Sequence, residues 1–155
     1  EELIKWAKFS PIGERGFFYG RTSGYGFDQV AGDMSNYMAT ANEESWLIPQ
    51  CETKGALENI ETIVSLDGVD GIFVGPFDLS ISLGMPGEFE RKEFQEALER
   101  ILKACKKAAK PAFIFAGNKD AARAHLNRGF DSVTLSIDVN ILIHAYKDML
   151  RAVGG

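Results

Sequence analysis

The stretch DGIFVGPFDLS, residues 70–80, is the most informative about the fold. Its first part, residues 70–74, is a short apolar run that favours a β-strand, and it ends at a Gly-Pro pair of the kind that interrupts strands. A glycine- and proline-containing loop is predicted over residues 75–90. A strongly amphipathic helix is predicted after it, over residues 91–109. A strand followed by a helix is the repeating unit of a parallel α/β fold.

The same order of strand and helix recurs on both sides of this stretch. The further predicted strand–helix pairs are 46–51 with 54–65, 111–115 with 119–127, and 132–136 with 138–153. Strands joined by helices run parallel through right-handed crossovers, and their continuous apolar runs predict a sheet that is buried on both faces. Upstream, residues 9–44 show no clear strand; a glycine-rich loop is predicted over residues 13–26 and a helix over residues 28–41.

Two architectures fit four such units: a flavodoxin-like open sheet, or half of a (β/α)8 barrel, which typically needs about 250 residues. Residues 1–8 resemble the last turns of a helix that is already under way, without an initiator Met or an N-cap residue. We therefore predict an α/β fold in which residues 1–155 form a single domain, the C-terminal half of a TIM barrel. The N-terminal strands of that barrel are expected to lie before Glu1.

Composition argues against several kinds of partner. A net charge of −5 gives no electrostatic footprint for nucleic acid. No run approaches the ~20 apolar residues of a membrane span, and no basic n-region of a signal peptide opens the chain. Cys51 and Cys105 form neither a CxxC pair nor a zinc cluster. They are expected to be buried thiols in a reducing cytoplasm, so we expect a cytoplasmic protein without a nucleic-acid or membrane partner.

Two carboxylates, Glu52 and Asp78, each follow a predicted strand. Working residues of parallel α/β folds lie at the carboxyl ends of strands, and neighbouring strands are ~4.8 Å apart. The two side chains could therefore converge on one divalent cation, for which oxygen ligands favour Mg²⁺ or Mn²⁺ over zinc. On spacing alone a simpler explanation competes with this one, because acidic residues also stabilise helix N-termini.

The turn between these features offers a possible anion site. Backbone N–H groups of Gly75, Phe77 and Asp78 could point at a carboxylate, whereas Pro76 has no N–H to donate. A rigid strand-to-loop turn would explain the same residues. The basic loop over residues 13–16 is a weaker candidate, since no nucleotide-binding signature surrounds it.

The two histidines and the aromatic run are expected to be structural. His125 and His144 fall within predicted helices, where surface or packing positions are the expectation. Residues 17–19, with the sequence FFY, are expected to serve packing or a subunit interface.

Three motifs carry a family resemblance. They are KFSPIGERG over residues 8–16, QCETKGAL over residues 50–57 and DGIFVGPFDLS over residues 70–80, which SLGMPG continues over residues 82–87. In this order they resemble the 4-hydroxy-2-oxoheptanedioate aldolases, class II pyruvate aldolases of the phosphoenolpyruvate/pyruvate superfamily. The resemblance covers a little over half of the chain.

The resemblance implies an enzyme that reversibly cleaves 4-hydroxy-2-oxo acids to pyruvate and an aldehyde. It implies that Glu52 and Asp78 bind a divalent metal, Mg²⁺ or Mn²⁺ or possibly Co²⁺, which stabilises the pyruvate enolate. The amides of Gly75, Phe77 and Asp78 would help to hold the carboxylate. The resemblance also implies a homo-oligomer, commonly a hexamer, in which neighbours often exchange the last helix, here residues 138–153.

The chain also departs from the family pattern. The family's catalytic histidine and substrate-binding arginine would come from strands before Glu1, so no catalytic residue is assigned within these residues. Phe77 stands where many members have alanine, and its bulk is expected to narrow or reshape the pyruvate pocket. Two rival functions remain: a related lyase acting on citryl- or malyl-CoA-type substrates, and a non-catalytic half-barrel that assembles with a partner supplying the other half.

Overall fold

The computed structural model describes residues 1–27 and 32–154. The described residues form one four-stranded parallel sheet whose strands are neighbours in chain order. The strands are β1 (Gln50–Cys51), β2 (Ile72–Val74), β3 (Ala112–Ala116) and β4 (Ser132–Leu135).

Helices precede and connect the strands. In the described part of the chain the α-helices are α1 (Glu2–Ala7), α2 (Met34–Glu44), α3 (Lys54–Glu58), α4 (Ile60–Ser65), α5 (Pro76–Ser82), α6 (Lys92–Lys107), α7 (Lys119–Arg128) and α8 (Asp138–Ala152). A 3-10 helix spans Arg21–Gly26. None of the helices in the described ranges is long and apolar enough to cross a membrane.

The strand order decides between the two predicted architectures. A flavodoxin-like sheet reverses its order at a switch point, giving an order such as 2-1-3-4-5. Here the order is β1-β2-β3-β4, and helices connect each strand to the next. Continuous parallel order with helical connections is the repeat of a (β/α)8 barrel, and the predicted half barrel is confirmed.

The core lies between one face of the sheet and the helices. We call this the outer face; Ile72 and Val74 of β2 and Ile114 of β3 are fully buried on it. Leu98 and Ile101 of α6 join them in one cluster. The predicted amphipathic pattern of α6 explains the contact, because its apolar positions recur at helical spacing and lie on one side.

The opposite, inner face contradicts the prediction that both faces are buried. Phe73 and Phe113 are neighbours in register on this face, and Phe115 follows two residues later; all three are only half-buried. The cause is the helix layer, which among the described residues covers the outer face alone. In a closed barrel the inner face is the one that points to the barrel axis.

Several predicted boundaries are wrong for local reasons. The strand predicted over residues 46–51 is regular only at Gln50–Cys51, although Pro49 O still accepts a hydrogen bond from Phe73 N at 3.0 Å. The helix predicted over residues 54–65 breaks at Asn59, whose side-chain amide donates to Gly55 O.

Two further elements differ from prediction. The predicted loop after β2 contains α5, which starts at Pro76 because proline at the first helical position needs no N–H acceptor. The helix predicted over residues 28–41 has its first residues outside the described ranges, and α2 itself starts at Met34 with Asp33 as its cap.

The segment before β1 contains no strand within its described residues. It is held by a set of hydrogen bonds among Lys8, Phe9, Asn42 and Ser45, here called the polar clamp. The buried Lys8 ammonium donates to the carbonyls of Asn42 at 2.7 Å and Ser45 at 2.6 Å. The Asn42 side chain accepts from Phe9 N at 2.7 Å and donates to Phe9 O at 3.0 Å. The ring of Phe17 packs near Phe9, as predicted, whereas Phe18 is 83% exposed and does not take part in this packing.

Candidate active site at the carboxyl edge of the sheet

Glu52 lies directly beyond β1 and does not cap the helix that follows. The cap of α3 is Thr53, whose hydroxyl accepts a hydrogen bond from Ala56 N at 3.1 Å. Helix capping therefore does not explain Glu52. Because side chains alternate along an extended strand, Glu52 shares the inner face with Gln50.

The side chains of Gln50 and Glu52 both lie over Gly75, in the space that a larger residue would fill. A Cβ built on Gly75 would lie 2.7 Å from Gln50 Nε2, 2.9 Å from Glu52 Oε2 and 3.1 Å from Glu52 Cβ. The backbone of Gly75 has φ −91°, which any residue adopts, so conformation does not require glycine here. Glycine instead leaves the space that the amide and the carboxylate occupy.

Gln50 was not among the predicted site residues. The pattern that could have identified it is its spacing: a polar residue two positions before Glu52 on a short strand must lie on the same face. The neighbouring Cys51 points to the outer face and is buried, where desolvation raises the pKa of its thiol to about 11. Burial likewise raises the pKa of Cys105 to about 11, so the prediction of two buried thiols is confirmed.

Asp78 lies in the first turn of α5, and its side chain is exposed. A carboxylate there also interacts favourably with the positive end of the helix, so helix stabilisation remains an explanation for this residue. The Phe77 and Asp78 N–H groups belong to the same first turn, where amides have no acceptor within the helix. The Gly75 N–H, by contrast, donates to Cys51 O at 3.3 Å and is part of the sheet.

The ring of Phe77 packs toward Phe89. Its centroid lies 6.0 Å from that of the Phe89 ring, and it lines a cavity on the outer side of the sheet, between α6 and α7. The expected narrowing or reshaping of the pyruvate pocket by this side chain stays a prediction. Its neighbour Ser80 links α5 to the following loop, because its hydroxyl donates to Phe77 O and accepts from Gly87 N at 2.9 Å.

The residues present suit a hard divalent cation with few protein ligands. The described ranges contain no group of three or more His, Cys, Asp or Glu side chains that could hold a metal ion. The carboxylate of Glu52, held in the space above Gly75, is the oxygen donor that Mg²⁺ and Mn²⁺ prefer. Such ions keep several waters and need only one or two carboxylates.

The histidines lie on helices, in the packing and surface positions that were predicted. His125 is half-buried on α7, where burial and then the nearby Arg128 lower its pKa. His144 is exposed on α8, with Nδ1 2.7 Å from Asn140 O. His125 lines the cavity that Phe77 also lines, and neither imidazole is among the nearest neighbours of a Cβ on Gly75.

Known proteins resemble this chain in sequence. The family model described as HpcH/HpaI aldolase/citrate lyase matches residues 2–145. The chain is 33% identical over 151 residues to a hydroxypyruvate/pyruvate aldolase of Roseobacter denitrificans, covering 96% of this chain and 57% of that protein. It is 35% identical over 146 residues to a 2-keto-3-deoxy-L-rhamnonate aldolase of Klebsiella pneumoniae, covering 93% and 52%.

A solved structure shows the same relationship. The crystal structure of a HpcH/HpaI aldolase/citrate lyase family protein from Burkholderia cenocepacia superimposes with a TM-score of 0.86 at 33% identity, over 98% of this chain and 59% of that one. The chain thus spans little more than half the length of these relatives. Their names do not include the 4-hydroxy-2-oxoheptanedioate aldolases, so the broader family is what the comparisons establish. By sequence and by fold, this chain belongs to the HpcH/HpaI aldolase/citrate lyase family.

Proposed function

We propose that the protein is a divalent-metal-dependent aldolase that cleaves 4-hydroxy-2-oxo acids to pyruvate and an aldehyde, in the manner of the 4-hydroxy-2-oxoheptanedioate aldolases. The observation that carries the proposal is the joint position of Gln50 and Glu52 in the space left by Gly75. Two of the relatives are named as aldolases for pyruvate or for a 2-keto-3-deoxy acid, which supports a 2-oxo acid as substrate.

Glu52 and Asp78 are the residues that would hold the cation. Both are acidic, and both lie just beyond neighbouring strands at the carboxyl edge of the sheet. When bound, Mg²⁺, Mn²⁺ or Co²⁺ supplies a Lewis acid that stabilises negative charge on the 2-oxo oxygen.

The other residues of the edge bind and orient the substrate. The Gln50 amide can donate a hydrogen bond to an oxygen of the 2-oxo acid, and the N–H groups of Phe77 and Asp78 can donate to its carboxylate. Because the Gly75 N–H is used by β1, we assign Gly75 the role of leaving space rather than donating.

The reaction breaks the bond between C3 and C4 of the substrate. The C4 hydroxyl loses its proton, C4 becomes the aldehyde carbon, and the electron pair of the broken bond passes to C3. Protonation of C3 then gives pyruvate. Following the family resemblance, we propose that the groups that move these protons come from barrel strands preceding Glu1.

Oligomerisation is part of the proposal. Helix α8 contains no buried residue in the described chain, although it carries large apolar side chains. Those exposed side chains are Val139, Ile141, Leu142, Ile143, Tyr146, Met149 and Leu150. We propose that α8 packs on a neighbouring copy in a homo-oligomer, a hexamer by the family resemblance.

Light scattering of Leu142→Glu, compared with the unmodified protein, tests this. The substitution should lower the mass of the particle in solution, and an unchanged mass contradicts the proposal.

The activity test uses substitutions at the proposed ligands. In the full-length protein, Glu52→Gln and Asp78→Asn are each expected to lower pyruvate release from a 4-hydroxy-2-oxo acid by at least about 100-fold. Glu58→Gln, an exposed carboxylate on α3, is the matched control and should retain activity. Chelation should remove the activity and Mg²⁺ or Mn²⁺ should restore it. Full activity in both ligand variants would refute the assignment, and release of acetyl-CoA from citryl- or malyl-CoA would favour the rival lyase.

A further inference from the structure

A cavity on the outer side of the sheet is not used by the proposed reaction. It lies between the facing sides of α6 and α7, its floor is the end of β3, and its volume is about 500 Å³. Small-molecule sites in proteins are typically of this size and are often found between helices. Gln50, Glu52 and Gly75 do not line it.

The cavity has one aromatic wall and one wall of small side chains. The rings of Phe77 and Phe89 are 6.0 Å apart, and those of Phe89 and Phe94 are 5.4 Å apart, in inclined edge-to-face arrangements. The facing side of α7 presents Ala121 and Ala124. Because alanine side chains are short, the space opposite the rings stays open. A flat apolar group matches such a slot, since an aromatic ring gains from both burial and edge-to-face contact.

The polar groups at one end are mainly donors. Arg128 lies on α7 one turn beyond Ala124, and its guanidinium donates to the side-chain oxygen of Gln95 across the cavity. A guanidinium has five N–H donors, so this bond leaves others for a ligand. Burial lowers the pKa of the lining residue His125, and Glu90 supplies the one lining carboxylate.

We propose that this cavity is a second ligand site, which takes a small aromatic carboxylate. The ring of the ligand lies between the phenylalanine wall and the alanine face of α7, and its carboxylate pairs with Arg128. Arginine is suited to this because its planar donors match a carboxylate in two parallel hydrogen bonds. The site adjoins the proposed pyruvate site at Phe77, whose side chain lines the cavity, but Gln50, Glu52 and Gly75 do not line it.

The test is calorimetric titration of the full-length protein with phenylacetate. We expect saturable binding with one site per chain and a dissociation constant between about 10 µM and 1 mM, in the range of a small ligand with one charged contact. Arg128→Gln should weaken binding about 10-fold or more. Ala121→Leu should abolish it by filling the slot. The matched control is Arg123→Gln, an exposed arginine on α7 that does not line the cavity.

Two additional measurements make the result unambiguous. Thermal unfolding of each variant shows that it is folded, and 2-phenylethanol, which lacks the charge, should bind at least about 10-fold more weakly than phenylacetate. Glu52→Gln should bind phenylacetate normally. Three results would each overturn the proposal. They are no saturable binding of phenylacetate up to about 10 mM, binding by Arg128→Gln and Ala121→Leu as tight as by the unmodified protein, and loss of binding in Glu52→Gln. None of these results depends on whether the protein releases pyruvate, so failure of the aldolase proposal would be recognised separately.

Discussion

Strands β3 and β4 lie side by side and pair through four registered positions, yet they differ sharply in burial. Ala112, Ile114 and Ala116 of β3 are at most 2% exposed, whereas β4 has no buried residue in the described chain. Hydrogen bonding cannot be the cause, because the two strands share it. The difference lies in the helices, since α6 covers the outer face at β3 while α8 buries none of its own side chains.

The largest effect on stability is expected where the helix layer is complete. Leu98 of α6 is fully buried in the main cluster. Leu98→Ala should lower the free energy of unfolding by about 2–5 kcal/mol, because it removes buried apolar surface and leaves a cavity. Urea denaturation measures the change.

The counterpart to this substitution is Leu142→Ala in α8, where the side chain is 58% exposed. At concentrations where the protein is monomeric, the change should stay within about 0.5 kcal/mol, as for other exposed positions. Equal losses at Leu98 and Leu142 would contradict the contrast between the two regions.

The second effect tests whether, in the middle of the sheet, the outer face serves packing while the inner face carries the proposed active site. Gly75→Ala should lower kcat/KM for pyruvate release by about 100-fold, because its Cβ displaces Gln50 and Glu52 on the inner face. Stability should change little, since the φ angle of this residue suits alanine. Steady-state kinetics and thermal unfolding together check both statements.

The control for this variant is Gly55→Ala. A Cβ there meets no atom within 4 Å, so both activity and stability should be retained. If Gly75→Ala kept full activity while Gly55→Ala lost it, the inner-face assignment would fail.

A smaller effect is expected at the polar clamp, whose residues Lys8, Phe9 and Asn42 are not members of the main hydrophobic cluster. Asn42→Ala leaves the buried N–H of Phe9 without its acceptor, whereas Phe9 O keeps the N–H groups of Ile12 and Gly13. We expect a loss of about 1–3 kcal/mol in the free energy of unfolding, the usual cost of unsatisfied buried groups. Asn36→Ala on the exposed side of α2 should cost much less in the same denaturation experiment.

The smallest effect concerns acid stability at the surface. Arg100 of α6 forms two 2.8 Å hydrogen bonds with the Glu61 carboxylate on α4, and this pairing lowers the pKa of Glu61 from 4.5 to about 2. The stabilisation is fully present above pH 4.5, the ordinary value, and is lost as the pH falls through about 2. Arg100→Gln should therefore be slightly less stable than the unmodified protein at pH 6, and this difference should narrow as the pH falls toward 2, where only the lost Arg100 donation to Glu58 O remains.

Denaturation curves recorded between pH 6 and pH 2 measure this difference. Because both partners are about half exposed, the difference at pH 6 should be small. Lys103→Gln, on the exposed side of the same helix, should show no such pH dependence. A constant gap between Arg100→Gln and the unmodified protein over the whole range would show that the carboxylate is not involved.

Sequence patterns were sufficient for the order of the elements. Apolar runs and helical spacing predicted all four strands and α6, because these features depend on residues close together in the chain. Burial of the inner face was predicted wrongly, since that depends on what other parts of a structure cover the sheet. The start of α5 was missed for a different reason, because a Gly-Pro pair fits a loop and a helix start equally well.

Only some residues of the candidate site could be predicted from the sequence. Glu52 stood out because a carboxylate follows an apolar strand, and Gly75 because it interrupts the next one. Their relationship depends on the pairing of Cys51 with Val74, which no local pattern specifies. Gln50 became visible only through that register, and the direction of Phe77 only through its contact with Phe89.

The unburied surface of α8 has a consequence for how the end of the chain should behave on dilution. A helix of 15 residues is only marginally stable on its own in water, and none of the residues of α8 is buried by the described chain. Its backbone amides should then exchange with solvent deuterium quickly in dilute samples and slowly in concentrated ones, while those of α6 stay protected throughout. The amide exchange rate of the last helix would thus measure the fraction of molecules that are self-associated at each protein concentration.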